Sequence, residues 1–289
     1  MRVLSKQRAV YEIGPKTVAA YTVDLGEIFV VETRDAMDGQ IPADGTCVAQ
    51  VDASRANPMT GPIQIRGLEP GQTAAVHILD LTVDDAGWMS SSPTGLINPV
   101  RDGYVEFLPG VRLPLSPMAG VIGLAPPTGS YTGKDVGPYG GNYDNKLVGA
   151  GATVFMRAHV PGGNLVLGDV HALQADGECS GTGVEIGARF TLRVDAIEKG
   201  LSPWPYILRD GVLSTLGAAE ELRQACDIAT REMSRIVAAA SGLDETVSRM
   251  FLSLMADVHV GQFVCPIQSA YMSLRLSECP WPIAIDRGG

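Results

Sequence analysis

The sequence predicts an α+β protein that is mainly β: a β-sandwich or barrel-like body followed by a late pair of helices. Three observations carry this reading. Gly (34) and Pro (19) are both plentiful, which favours many short strands joined by turns. In 184–196, Val184, Ile186, Ala188, Phe190, Leu192, Val194 and Ala196 alternate with Glu185, Gly187, Arg189, Thr191, Arg193 and Asp195. That is the period-two pattern of a sheet with one wet face. Helical spacing appears only after Trp204.

Taken in order, 17–31 reads as two short strands broken at Gly26, and Glu32 to Thr60 as polar and turn-rich. Residues 73–83 form a strand, with Gly71 before it and Asp84-Asp85 after it supplying turn chemistry. From Trp88 to Asn145 the chain is rich in Pro and Gly. This stretch is either an irregular active-site wall or a set of short strands with Pro at their edges. Residues 152–160 and 164–173 are strand-like. In 217–240, Leu222, Ala225, Cys226, Ala229, Met233, Ile236 and Val237 recur at helical spacing. Ser241-Gly242 ends that helix. Asp244 is the expected N-cap of a second one, whose inner face is Val247, Met250, Phe251, Leu254, Met255 and Val258. A β-like stretch, 262–276, closes the pattern. We therefore expect a β-rich catalytic body over 1–205, with 206–289 packed on it as one functional unit.

The chain has 289 residues, 45% hydrophobic and 19% charged, with a formal net charge of −10. No Lys/Arg cluster offers the basic face that nucleic acid or an anionic membrane needs. A small neutral substrate fits that charge. The five cysteines (Cys47, Cys179, Cys226, Cys265 and Cys279) are odd in number and include no C-x-x-C, which argues against a disulfide framework or a Cys-type zinc site. Met1 to Val10 lacks an apolar run of signal length, and no stretch approaches the roughly 20 apolar residues of a membrane span. The expected location is the cytoplasm.

The richest constellation is 168–185, GDVHALQADGECSGTGVE, with Asp169, His171, Gln174, Asp176, Glu178 and Glu185 among glycines. On a strand Asp169 and His171 share a face, an arrangement suited to metal ligation or acid–base work. A two-residue hairpin at Asp176-Gly177 would pair His171 with Thr182 and set Glu178 about 13 Å from His171. Either the glycine-rich segment is irregular and folds Glu178 back, or only one of the two is a ligand. His77 lies in an apolar strand and reads as a core or sheet-edge histidine; His159 and His259 carry no partner pattern. Cys179, beside Glu178, is a lesser candidate nucleophile. The absence of G-x-S-x-G argues against a serine hydrolase. Gly140, Gly141 and Asn142 are candidate substrate-binding residues, since glycine lets backbone N–H groups approach an amide oxygen. Trp88 is the candidate wall of the pocket.

Several segments, in order along nearly the whole chain, resemble the acetamidase/formamidase family. They are ETRDA (32–36), GPIQIRGLEPGQT (61–73), PYGGNYDNK (138–146), GDVHALQADGE (168–178) and VGQFVCP (260–266). Departures are Ala175 where the family has Gly, Cys179-Ser180 after the acidic residue, and Gln72 where Asp is frequent. The resemblance implies hydrolysis of short aliphatic amides to a carboxylate and ammonia, a divalent metal (zinc being the expected one) and a homo-oligomer. Carried over residue by residue, it implies His171, Asp144 and Asp35 as metal ligands. Asp169 would be a further ligand or an acceptor that orients His171, and Glu178 the general base. His171 and Glu178 are the catalytic pair. The competing readings are hydrolysis of a γ-lactam or carbamate, and a non-catalytic β-sandwich that binds a small ligand.

Overall fold

The alternation at 184–196 forms the strand Ala188–Ile197, with Phe190, Leu192 and Val194 fully buried and Arg189 exposed. In this computed structural model, which describes residues 1–42, 51–91, 94–286 and 288, that strand lies inside a nine-stranded sheet. It runs antiparallel to Ile28–Thr33 on one side and to Thr73–Val83 on the other. The sheet continues through Thr153–Arg157, Tyr206–Arg209, Val212–Ala219 and Gln268–Arg275 to an edge at Ala256–Gln262. Strands from both sides of residue 205 thus share one hydrogen-bonded ladder.

A second large sheet carries the site. Its central strand, Leu165–His171, pairs along one side with Met118–Gly123. Along the other side it pairs first with Met59–Arg66 and then with Glu185–Ile186. Phe29, Val31, Val76 and Leu192 of the first sheet share one apolar core with Ile63, Ile122, Leu165 and Leu167 of the second. Neither sheet closes on itself, so the body is a pair of open packed sheets rather than a barrel.

The Pro-rich stretch 88–145 resolves into short strands, not an irregular wall. Ala86–Ser91, Thr94–Arg101, Tyr104–Leu108 and Val111–Pro114 form a meander running outward from Glu185–Ile186. Pro114 sits on the outermost strand, where a missing N–H leaves no ladder bond unmade. Cys47, Pro93 and part of the turn-rich stretch 32–60 lie outside the described residues.

The helices are α1 (Leu222–Ser241) and α2 (Glu245–Met255). Helix α1 buries Ala229, Met233, Ile236 and Val237 against Phe155, Tyr206, Leu213 and Leu274. It ends at Gly242, whose φ of 74° is the left-handed cap that glycine adopts without penalty. Several boundaries differ from the sequence reading. The run 184–196 is divided, with Glu185–Ile186 pairing in the second sheet and Ala188–Ile197 in the first. Residues 217–219 belong to the strand Val212–Ala219, and Val258 belongs to the edge strand Ala256–Gln262. The inner face of α2 differs too. Ser248 and Leu252 are the buried residues, while Met250 (65%) and Leu254 (82%) are exposed. Asp244 caps α2 by accepting from the N–H groups of Thr246 and Val247 at 2.9 and 3.0 Å. Asp244→Ala is expected to cost about 1 kcal/mol in urea unfolding; an unchanged midpoint would show that α2 does not depend on this cap.

Candidate metal centre

Asp169 and His171 lie at the end of the central strand of the second sheet, with His171 opposite Met118 and Glu185. Val170 pairs with Ala119 and Gly168 with Val121, which leaves Gly120 beside Asp169. Asp169 has φ 53°, a left-handed conformation that interrupts the strand. Gly120 makes room for this: a Cβ there would lie 2.4 Å from Asp144 Oδ1 and 2.7 Å from the Asp169 carbonyl oxygen. Asp144 follows the strand Gly140–Asn142 with φ 45°, and the Asn142 amide donates to its Oδ2 at 2.8 Å.

The segment after His171 is no hairpin at Asp176-Gly177. Ala172 N–H donates to the Val184 carbonyl and Val184 N–H to the Leu173 carbonyl near its neck, and the chain between them loops out. Gly177 N–H donates to the carbonyls of Val260 and Gly261, while Asp176 accepts from Lys146 Nζ (2.7 Å) and Tyr271 Oη (2.9 Å). Pinned this way, Glu178 takes φ 48° and turns back towards His171. The register therefore sets Glu185, not Thr182, opposite His171.

Two overlapping groups result, each with ligand atoms within 4.8 Å of one another: Asp144, His171 and Glu178; and Asp169, His171 and Glu185. Either could hold a metal ion. All five side chains are buried, from 1% exposed at His171 to 8% at Glu178. Among the described residues, no Lys or Arg is ion-paired to any of the four carboxylates.

The histidine tautomer follows from one glutamine. Gln174 Nε2 donates to the backbone carbonyl of Asp144 at 2.8 Å, and a carbonyl can only accept. Gln174 Oε1 therefore faces His171 Nδ1, at 2.6 Å, and Nδ1 carries the proton. His171 Nε2 then points a lone pair at Glu185 Oε2 (3.1 Å) and Asp169 Oδ1 (3.8 Å). Nε2, Glu185 Oε2 and Asp144 Oδ1 are buried without a hydrogen-bond partner. A lone pair facing carboxylates is repulsive unless a cation stands between them, whether a proton or a metal ion. The donor set fits a divalent metal: one imidazole, its far nitrogen fixed by a hydrogen bond, among carboxylates.

The acid–base behaviour reports the same demand. Burial, then the neighbouring charges of Glu178 and Asp169, hold the Asp144 carboxyl well above its usual range. Burial raises Glu185 to about 8 and Glu178 to about 7, against the pull of His171. Burial alone would lower the imidazolium of His171; Glu185 and Asp169 reverse this and hold it well above its usual value. Without a metal, protons supply the missing positive charge.

The other residues singled out in the sequence fall as follows. Asn142 joins the centre. Asp35 does not: its carboxylate accepts from the backbones of Met37 and Gly39 and from the Trp88 indole, as the cap of a tight turn. Gly140 and Gly141 are enclosed between the strands Met118–Gly123 and Val136–Gly137, where a Cβ would strike backbone on either side. Their lack of a side chain permits this close packing. Trp88 lines a cavity of about 520 Å³ with Asp35, Arg34 and Lys6, on the side of the strand away from Met89. His77 is a buried sheet histidine bonded to Thr153 and paired with Asp195. His259 stacks on Tyr271. Cys179 is exposed, beside Glu178 in sequence.

Asn57 was not foreseen. It donates to Asp169 Oδ2 at 2.8 Å from 112 residues away, a separation that leaves no local signal. Cys265 also lies at the centre, 3.9 Å from the Asn142 amide, its thiol pushed up to about 12 by burial and then by Asp144.

Fold and site together define a β-rich protein built around a buried carboxylate–imidazole centre able to take a metal. The family model of the acetamidase/formamidase family matches residues 6–105 and 134–209, and the chain belongs to that family. An acetamidase from Bacillus halodurans is 33% identical, with a TM-score of 0.93 over 95% of this chain and 97% of that one. A Thermoanaerobacter tengcongensis protein described as a predicted acetamidase/formamidase is 30% identical, with a TM-score of 0.91 over 94% and 95%. An acetamidase of Mycolicibacterium smegmatis is 24% identical over 66% of this chain and 66% of its own length. This chain thus spans less than two thirds of the curated relatives it matches.

The raised carboxyl groups and imidazole have a consequence for stability. Each binds protons more tightly folded than unfolded, so its contribution is present at low pH and is lost as pH rises through the folded value. For Glu178 and Glu185 that window runs from their ordinary value of 4.5 up to about 7 and 8. The melting temperature of metal-free protein is expected to fall from pH 5 to pH 8, and a saturating divalent ion to remove most of that fall. Parallel curves with and without the ion would contradict this account.

Proposed function

We propose that this protein hydrolyses carboxamides to a carboxylate and ammonia at the centre around His171. The observation that carries this is the buried His171 Nε2 lone pair facing Glu185 and Asp169, with Asp144 and Glu178 alongside. Family membership supplies the bond type, and the name acetamidase belongs to two of the relatives above.

Asp169, His171 and Glu185 are the residues proposed to hold a divalent ion, with Asp144 as a fourth donor. Zinc is the first candidate, since imidazole nitrogen and carboxylate oxygen are both among its ligands. Such an ion supplies Lewis acidity: it polarises a carbonyl and lowers the pKa of water. The chain does the rest. Gln174 and Asn57 hold His171 and Asp169 in place. Glu178 is the one carboxylate of the five-residue set that lines the neighbouring cavity of about 310 Å³. Without a bound ion, burial raises it to about 7; a carboxylate placed there can take a proton and give it back. It takes a proton from water as the water oxygen bonds to the amide carbon. It returns that proton to nitrogen as the C–N bond breaks, so that ammonia can leave.

Three further readings accompany this one. We place the protein in the cytoplasm, supported by four described cysteines that are all unpaired; no described helix is long and apolar enough to cross a membrane. A homo-oligomer is supported by the exposed Met250 and Leu254 of α2 beside the edge strand. Residues 1–205 and 206–289 act as one unit, which the continuous nine-stranded sheet supports.

Chelation is expected to abolish ammonia release from amides, and zinc or another divalent ion to restore it. Full turnover by metal-free protein would overturn the metal-assisted reading. Glu178→Gln is expected to keep fold and metal content while losing about 10²–10⁴-fold in kcat. Loss of metal along with activity would make Glu178 a ligand instead, and near-normal turnover would remove it from the mechanism.

A further inference from the structure

The cavity that Glu178 lines is not shaped for a formyl or acetyl group alone. It lies between the loop carrying Glu178 and the strands Ala86–Ser91, Tyr104–Leu108 and Val111–Pro114. Its volume of about 310 Å³ is that of a site enclosing a ligand of many heavy atoms. Seven apolar side chains line it: Met89, Val105, Phe107, Leu113, Leu173, Ala175 and Val184. Val105 and Val184 are buried behind its surface, while Leu113, at 37% exposed, stands at its rim. The polar groups there include Glu178 itself and Gln174, the residue that orients His171. The cavity on the other face of the centre, which reaches Glu185, is lined instead by charged groups such as Lys6, Arg34, Asp35 and Asp84.

We infer that the substrate is an amide whose acyl part is an apolar chain or ring well larger than acetyl, seated in this cavity with its carboxamide at Glu178. The inference rests on the amide-hydrolysis reading and names the substrate class of that same site. An acetyl group would leave most of the apolar wall in contact with water. A chain of about six carbons, or a phenyl ring, covers it and excludes that water, which is the source of selectivity in a hydrophobic pocket. Besides Glu178 the charged side chain lining the cavity is Asp176, which is paired with Lys146, and the other walls are uncharged, so a neutral acyl group is taken and an anionic one refused.

The test is the specificity constant of the protein as purified, with divalent ion added, for formamide, acetamide, butanamide, hexanamide and phenylacetamide. We expect kcat/KM to rise about tenfold or more from acetamide to hexanamide. Leu113→Asp, a change at the exposed rim, is expected to reduce the hexanamide-to-acetamide ratio, chiefly through a higher KM for hexanamide. Acetamide or formamide as the best substrate would overturn the inference and leave amide hydrolysis standing. If no amide is turned over, the hydrolysis reading falls and calorimetric binding decides the cavity. Hexanamide binding about tenfold more tightly than acetamide would support it, and equal or undetectable binding of both would overturn it.

Discussion

Burying four carboxylates around one imidazole nitrogen is the constraint on which the rest of this structure turns. Each buried charge costs several kcal/mol unless it is paired. Here no Lys or Arg among the described residues is paired to Asp144, Asp169, Glu178 or Glu185. The neutral imidazole, its proton held on the far nitrogen by Gln174, does not neutralise them; it does so only by taking a second proton. The site thus asks for positive charge from outside the chain. Protons answer at low pH, and a divalent ion answers over a wider range. A catalytic centre gains from this: what the protein withholds from the folded ground state is what a bound ion and a reacting amide then complete.

The backbone bears part of the cost. Asp144, Asp169 and Glu178 all have φ between 45° and 53°, a region that costs a non-glycine residue about 1–3 kcal/mol. Three such residues at one site are held by what surrounds them. Gly120 leaves space between Asp144 and Asp169, and Gly183 leaves space against the His171 ring, where a Cβ would lie 2.6 Å from Nδ1. Lys146, Tyr271 and the Val260 carbonyl pin the turn before Glu178. The late helical region matters here. The edge strand that follows α2 supplies the carbonyls that hold the Glu178 loop, so the C-terminal part of the chain is needed to shape a centre whose residues lie far before it.

Much of this was legible in the sequence where local pattern dictates structure. The strands at 73–83 and 188–197, the first helix and the Asp244 cap follow from periodicity and capping alone. The 168–185 segment announced its chemistry by composition. What local pattern could not show is what distant contacts decide. Asp176-Gly177 has the residues of a hairpin turn, but Gly177 finds its partners at Val260 and Gly261, and the chain folds Glu178 back instead. Glu185 looked like the polar face of an alternating strand, yet it lies against His171 and is 3% exposed. Asp35 stood in the right order among the family-like motifs, although its carboxylate is spent on its own turn. The prolines of 88–145 left open an irregular wall or short strands with Pro at their edges, and the meander is the second of these, with Pro114 on its outermost strand. That meander still supplies Met89, Val105, Phe107 and Leu113 to the cavity beside Glu178.

The central claim is that the charge missing from this centre is supplied by a bound divalent ion. Elemental analysis of the purified protein beside His171→Ala tests it most directly. The account predicts at least one divalent ion per chain in the natural sequence and its loss from His171→Ala, with the variant still folded. Metal-free natural protein that is folded and releases ammonia from an amide would contradict it.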